Sequence, residues 1–329
     1  MMMSASPSDP VLRVSGLGKH FPVRTGVLQR VSGQIKAVDG VDFDIQRGET
    51  FGLVGESGCG KSTVSSMLVG LEKPSFGKIT FEGRDITEAS RKADADLCRN
   101  VQIVFQDPFS SLNRRMTVFD IVAEPLVIHG VASGDALRRR VNDLLTQVGL
   151  APDHAMRTPG QFSGGQRQRI GIARALALEP RLIILDEPVS ALDVSIQAQV
   201  LNLLKSLQRE RGLSFLFISH DMSVVKYMAD RIGVMYLGRI VEIADRASLF
   251  AHPRHPYTKA LLSAVPSDNP FERSLDKRII LQGDLPSPVA VPPGCRFHTR
   301  CYKAQPRCAS ESPVLETDVS HAAACHYPE

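Results

Sequence analysis

Short apolar runs alternate with amphipathic stretches along most of this chain, and the alternation predicts parallel α/β architecture. Leu182–Leu185 is continuously apolar, as are Thr50–Val54 and Ser214–Ile218 after their first residues. Runs of that length read as strands buried on both faces of a sheet. A fourth strand, V-Q-I-V-F within Arg99–Phe105, ends at Gln106. Val38–Ile45 alternates apolar and polar, and Gly77–Glu82 is short, so both read as strands. Val11–Phe21 alternates loosely and reads as an edge strand, with Phe21–Lys36 a polar, basic surface loop. Helical spacing marks Thr63–Leu71, with Val64, Met67, Leu68 and Leu71 on one face. It also marks Asp135–Leu150, the stretch from Phe162 to about Leu178, and Ser195–Arg211.

The first candidate chemistry lies between the Thr50–Val54 strand and the helix after it. Gly55-Glu56-Ser57-Gly58-Cys59-Gly60-Lys61-Ser62-Thr63 fits G-x-x-x-x-G-K-[ST] at every fixed position. Glycines let the loop curl so that its N–H groups point at phosphate oxygens. The helix N-terminus adds a favourable dipole and free donors. In this pattern Lys61 reaches the β- and γ-phosphates of ATP and the Ser62 hydroxyl holds Mg²⁺.

Other polar residues follow strand ends, where open parallel sheets bind ligands. Asp186 suits a carboxylate that holds Mg²⁺, and Gln106 joins Ser62 and Asp186 as a candidate around that ion. Glu187 suits a general base acting on water, and His220 a contact to the γ-phosphate. Taken singly, each also suits a cap or turn; together with the glycine loop they describe a hydrolytic site. Ser163-Gly164-Gly165-Gln166 is a second helix start suited to an anion. One ATP needs only one such loop at its terminal phosphate. The second turn suits a simple capped helix start, or a sandwich with each nucleotide between one chain's glycine loop and another chain's serine–glycine turn.

These motifs, in this order, resemble an ATP-binding cassette (ABC) subunit from about Val11 to Asp245. Gly55–Thr63 matches the Walker A loop, Leu182–Glu187 Walker B with its glutamate, and Phe162–Gln166 the signature, with Phe where many members carry Leu. Gln106 matches the Q-loop, Ser190–Asp193 the D-loop with Asp193, and His220 the switch histidine. Phe21 falls where the family places an aromatic that stacks on adenine. F-S-G-G-Q-R-Q-R-I, D-E-P-V-S-A-L-D-V-S, Q-D-P-F-S-S-L-N and R-H-P-Y-T-K-A-L-L-S-A narrow the resemblance to ATPase subunits of dipeptide/oligopeptide permeases. Nickel and glutathione importers share much of the pattern. The resemblance implies a phosphate-loop NTPase fold: a parallel sheet core, an antiparallel β subdomain and a helical subdomain at about 107–165. The cassette would span 11–250 and a small cysteine-rich extension 251–329. It further implies a second homologous ATPase subunit, two membrane-spanning permease subunits and, through them, an extracytoplasmic solute-binding protein. The segment Asp107 to about Thr117 would touch the permease.

Composition changes this picture little. The chain has 329 residues, room for about two domains. A net charge of +4 lacks the concentrated basic stripe of a nucleic-acid binder. Met1–Pro10 shows no apolar secretory core, and no apolar run approaches the ~20 residues that span a bilayer. The expected location is the cytosolic face of the cell membrane, bound peripherally. A soluble cassette ATPase acting on ribosomes or DNA is the alternative. Such proteins carry paired cassettes or long coiled coils, and this chain shows one cassette and no sustained heptads.

Cys295, Cys301, Cys308 and Cys325 form a C-x5-C-x6-C-x16-C pattern in the tail. Four thiolates suit Zn²⁺ or an iron–sulfur cluster. Arg296, Arg300, Lys303 and Arg307 are interleaved with them, but both groups carry similar negative charge and the basic residues do not discriminate. The permease resemblance favours [4Fe–4S], with Zn²⁺ second and free buried thiols third; a bound group would have a structural role for a tail too small for its own core.

Overall fold

A computed structural model describes residues 9–25, 30–89, 94–107, 111–265, 278–316 and 319–329. The strands are β1 (Leu12–Thr25), β2 (Arg30–Ile45), β3 (Thr50–Val54), β4 (Phe76–Phe81), β5 (Arg84–Asp85), β6 (Val101–Val104), β7 (Leu182–Asp186), β8 (Ser214–Ser219), β9 (Arg231–Tyr236), β10 (Arg239–Asp245) and β11 (His321–Ala323). The α-helices are α1 (Lys61–Leu68), α2 (Ala95–Asn100), α3 (Val118–Ile128), α4 (Gly134–Gln147), α5 (Gly164–Leu176), α6 (Val194–Arg211), α7 (Met222–Met228), α8 (Arg246–Ala251), α9 (Pro256–Ser263) and α10 (Pro306–Ser310).

A seven-stranded sheet runs β11-β10-β9-β3-β8-β7-β6, and a four-stranded antiparallel sheet runs β2-β1-β4-β5. The strands from β9 to β6 pair in parallel, while β10 and β11 are antiparallel additions at the other edge. Side chains of the central strands alternate between two cores. Ile183, Leu185, Phe215 and Phe217 face the core shared with α3, α4 and α5. Leu182, Ile184, Leu216 and Ile218 face the core shared with α1 and the antiparallel sheet. Both faces of the central strands are thus covered, and this explains their unbroken apolar runs.

Local signals set the helix ends. Thr117 and Asp120 form a reciprocal capping box that starts α3, and Ser163 with Gln166 forms another that starts α5. Gly149, at φ +73°, closes the stretch after α4 in a left-handed conformation.

Three expectations need correction, and one helix is added. Strand β1 is interior, hydrogen-bonded to β2 on one side and β4 on the other. Most of the expected Phe21–Lys36 loop is the outer part of the β1–β2 ribbon; residues 26–29 lie outside the described residues. Its polar composition hid it, because a two-stranded ribbon with both faces near water needs no apolar alternation. Helix α1 stops at Leu68, so Leu71 lies beyond it and is 54% exposed. A short helix, α2, capped by Asp94, precedes β6.

The C-terminal stretch is built into the main core. Strand β11 pairs with β10 at Glu242↔Ala323, Ile243↔Ala322 and Ala244↔His321. Tyr236 of β9, Tyr257 of α9 and Phe297 pack edge-on with centroids 4.8–5.4 Å apart. Glu242 is fully buried and accepts from the N–H groups of Arg254 (2.7 Å) and His255 (2.8 Å), with His321 Nε2 at 2.7 Å. Burial pushes the His255 imidazole down to about 3, so it sits there neutral. The tail thus borrows the main core, which removes the reason for expecting a metal to substitute for one.

Candidate active site

Strand β3 delivers the chain into the glycine loop, and the loop wraps the N-terminus of α1. Gly60 has φ +111°, and a Cβ there would meet the Ala37 carbonyl oxygen at 2.1 Å. A Cβ on Gly55 would meet the Met235 carbonyl oxygen at the same distance. Glycine is therefore required at both positions by neighbouring backbone as well as by the turn. Lys61 is 4% exposed; its ammonium donates to the carbonyls of Gly55 (2.8 Å) and Glu56 (3.0 Å). The loop carbonyls thus solvate a buried cation within reach of the cavity. Cys59 is buried, and burial pushes its thiol up, so it stays a small neutral filler.

The ends of the parallel strands bring the remaining residues together. Gln106, just beyond β6, donates from Nε2 to Glu187 Oε2 at 3.0 Å. His220 Nδ1, just beyond β8, lies 3.1 Å from the same oxygen. Glu187 itself has φ +48°, and its N–H is held by the Ile218 carbonyl at 3.0 Å. That left-handed backbone turns the chain sharply after Asp186. Asp186 faces α1, where Ser65 donates to Oδ2 at 2.9 Å and Ser62 to Oδ1 at 3.3 Å. Burial raises the Asp186 carboxyl above its ordinary range, opposed by the Ser65 and Ser62 hydroxyls.

One cavity is lined by Gly55, Glu56, Ser57, Gly58, Gly60, Lys61, Ser62 and Thr63 together with Gln106, Glu187 and His220. Residues named separately from sequence thus share one site. Phe21 does not line it; its cross-strand partner Ile35 does, beside Ala37. Ser163, Gly164, Gly165 and Gln166 do not line it either. Ser163 is exposed at the start of α5, and Asp193 is exposed at the start of α6. Sequence reasoning missed Ser65, which lies three residues after Ser62 on the same helix face. It also missed Leu261 and Pro288, which complete the cavity wall from the C-terminal stretch. The Pro288 carbonyl accepts from Lys36 N–H at 3.1 Å, and no local pattern signals that contact.

Cys295, Cys301, Cys308 and Cys325 line a second, small cavity together with His298 and His326. Burial pushes the Cys295 thiol up to about 11 and raises Cys301 and Cys325 as well, with the neighbouring thiols adding to the effect. Among the described residues no group of three or more His, Cys, Asp or Glu stands at metal-ligand spacing. The convergence of the cysteines expected from sequence is present, and the ligand geometry is not. His321 lies outside this cavity and has a structural partner in Glu242.

A glycine loop facing a carboxylate pair, a glutamine and a histidine across the ends of a parallel sheet defines an ATP-hydrolysing cassette. The comparisons agree: residues 38–190 match the family described as ABC transporter, and residues 241–308 match the oligopeptide/dipeptide transporter C-terminal region. The chain is 51% identical over 326 residues to the oligopeptide transport ATP-binding protein AppF of Bacillus subtilis, covering 98% of this chain and 99% of that one. It is 50% identical over 318 residues to the oligopeptide transport ATP-binding protein OppF of Salmonella typhimurium, covering 96% and 95%. Among solved structures it resembles the dimeric, post-hydrolysis ATP-binding cassette MJ0796 bound to ADP and Pi. The TM-score is 0.62 and the identity 29%, over 71% of this chain and 98% of that one. This chain belongs to the ABC transporter ATP-binding subunits. Within them it is of the oligopeptide/dipeptide transporter type.

Proposed function

We infer that this protein hydrolyses ATP to energise import of peptides through a membrane permease. One observation carries the ATPase part: the glycine loop and Glu187 share a cavity that the serine–glycine turn of the same chain does not reach. Such a site is completed by the Ser163–Gln166 turn of a second ATPase subunit across the nucleotide. The near-full-length likeness to oligopeptide transport ATPases supports peptides as the cargo. No helix among the described residues is long and apolar enough to cross a membrane. The proposed complex therefore places this chain at the cytoplasmic face of the inner membrane, against two permease subunits served by an extracytoplasmic solute-binding protein.

In this reading Lys61 and the loop N–H groups bind the β- and γ-phosphates. Ser62, Asp186 and Gln106 hold Mg²⁺; the Ser62 hydroxyl and Asp186 carboxylate already converge, and hard oxygen donors suit that ion. Bound Mg²⁺ would neutralise charge on the phosphate oxygens. Glu187 accepts the proton of the attacking water, oriented by Gln106 and His220. Ser163 and Gly165 of the partner subunit's equivalent turn would cap the γ-phosphate, and Asp193 would lie along the shared seam.

A groove beside Gln106 suits the permease contact. It is lined by Leu71, Phe105, Ser111, Glu124, Ile128 and Leu178, with Ile128 72% exposed. Residues 108–110 of the expected contact segment lie outside the described residues. Phe105 in the groove adjoins Gln106 at the cavity, so permease contact and phosphate sensing share one short stretch.

The permease resemblance supports an iron–sulfur cluster, or Zn²⁺, at Cys295, Cys301, Cys308 and Cys325: the four thiols line one cavity, and they would have to draw together to reach ligand spacing. The bound group would cross-link the tail. Protein purified without oxygen is expected to contain about four iron per chain, with absorption near the visible charge-transfer bands of a cluster. One zinc per chain would select the alternative, and neither metal would overturn the proposal.

The functional test is reconstitution in liposomes with the permease subunits, a second ATPase subunit and a binding protein. ATP hydrolysis is expected to rise several-fold with a peptide that the binding protein holds, and labelled peptide to accumulate inside. ATP hydrolysis without peptide movement, across a library of peptides, would sink the assignment of cargo.

A further inference from the structure

The Arg254-His255-Pro256-Tyr257 stretch and the basic residues around the cysteines have no part in the hydrolytic site. One residue of each, Tyr257 and Arg300, reaches the same residue of the glycine loop, Glu56. Tyr257 is fully buried, and its hydroxyl accepts the Glu56 N–H at 2.9 Å. Arg300 donates from Nη1 to both carboxylate oxygens of Glu56, at 2.9 and 3.2 Å. The Arg300 side chain is only 10% exposed, and its guanidinium lies 6.0 Å from the Tyr236 ring centroid. The Glu56 carbonyl meanwhile accepts from Lys61. Every polar group of Glu56 is therefore engaged, and two of its partners come from the C-terminal stretch.

We propose that the C-terminal stretch preorganises the phosphate loop, with Tyr257 and Arg300 as positioning residues that act through Glu56. The proposal rests on the reading of this cavity as the ATP site. A loop rich in left-handed glycines loses much conformational freedom when it closes on phosphates. Anchoring Glu56 beforehand removes part of that cost, so the benefit is read as ATP affinity. Arg300 ends a short 3-10 turn, His298–Arg300, directly before Cys301. The packing of the cysteine cavity therefore sets where the guanidinium stands. ATP affinity is thereby linked to the integrity of the tail, about 240 residues downstream of the loop.

The test uses the full chain and a fluorescent ATP analogue titrated with Mg²⁺. Arg300→Gln and Glu56→Gln are each expected to weaken binding about fivefold, the scale of a part-buried ion pair. The double variant is expected to be no weaker than either single one, because the same interaction is lost once. Tyr257→Phe should weaken binding by a further factor of about three, and Arg300→Lys should restore part of the Arg300→Gln loss. In the assembled transporter Arg300→Gln should raise KM for ATP while kcat stays within about twofold, since anchoring acts on binding. Affinities unchanged in both Glu56→Gln and Arg300→Gln, with the wild type binding normally, would overturn the proposal. So would additive effects in the double variant. Wild-type protein that fails to bind the analogue would instead overturn the ATP-site reading. If Arg300→Gln loses the tail fold, Glu56→Gln still decides the matter, because it leaves the tail residues untouched.

Discussion

Glu187→Gln is expected to slow ATP hydrolysis at least about 100-fold while leaving ATP binding largely intact. The expectation comes from what meets at one oxygen. Gln106 Nε2 and His220 Nδ1 both lie within 3.1 Å of Glu187 Oε2, and the residue's backbone is held in a left-handed turn. The carboxylate is thus aimed rather than merely present. Glutamine keeps its shape and hydrogen-bonding reach but cannot take a proton from water. Binding depends on Lys61 and the loop N–H groups, which the change does not touch. A subunit pair that closes on ATP and cannot cleave it should persist, and size-exclusion chromatography with ATP should show a long-lived dimer. Brisk single-turnover hydrolysis by this variant would remove Glu187 from the role of base.

Ser163→Arg should abolish turnover in the assembled transporter, while the isolated chain binds ATP as the wild type does. Lys61→Ala should do the reverse in the binding assay, weakening affinity at least about tenfold through loss of a charge-assisted contact to phosphate. The contrast follows from position. Lys61 is buried in its own chain's cavity, whereas Ser163 is exposed and lies outside that cavity. A guanidinium at the exposed start of α5 would occupy the space of the partner's nucleotide, and the loss of the Ser163 cap falls on the first turn of the helix, away from its own chain's cavity. The readouts are ATP titration of the single chain and hydrolysis by the complex. Weakened ATP binding by isolated Ser163→Arg protein would mean that the turn serves its own chain's site, and the two-chain sandwich would fail.

Much of the site was readable before any coordinates. The glycine loop, Asp186, Glu187, Gln106 and His220 are each marked locally, by an apolar run that stops at a polar residue. Local order is enough there, because a parallel sheet places the ends of its strands side by side. The β1–β2 ribbon was not readable, since its outer part carries no apolar face for a periodicity to report. Phe21 was placed by resemblance to a family position, and the fold puts Ile35 rather than Phe21 on the cavity wall. The cysteine pattern implies convergence and the four thiols line one cavity, but spacing along a chain does not determine the distances between them.

By itself the sequence determined the class of fold and the set of candidate phosphate-handling residues, because both follow from contacts within a strand, a turn or a helix. Only the tertiary structure decided that the tail belongs to the core, that Ser65 supports Asp186, and that Tyr257 and Arg300 grip Glu56. The contacts of Ser65, Tyr257 and Arg300 join segments more than 100 residues apart. No periodicity records them, since they depend on how two cores pack against one sheet.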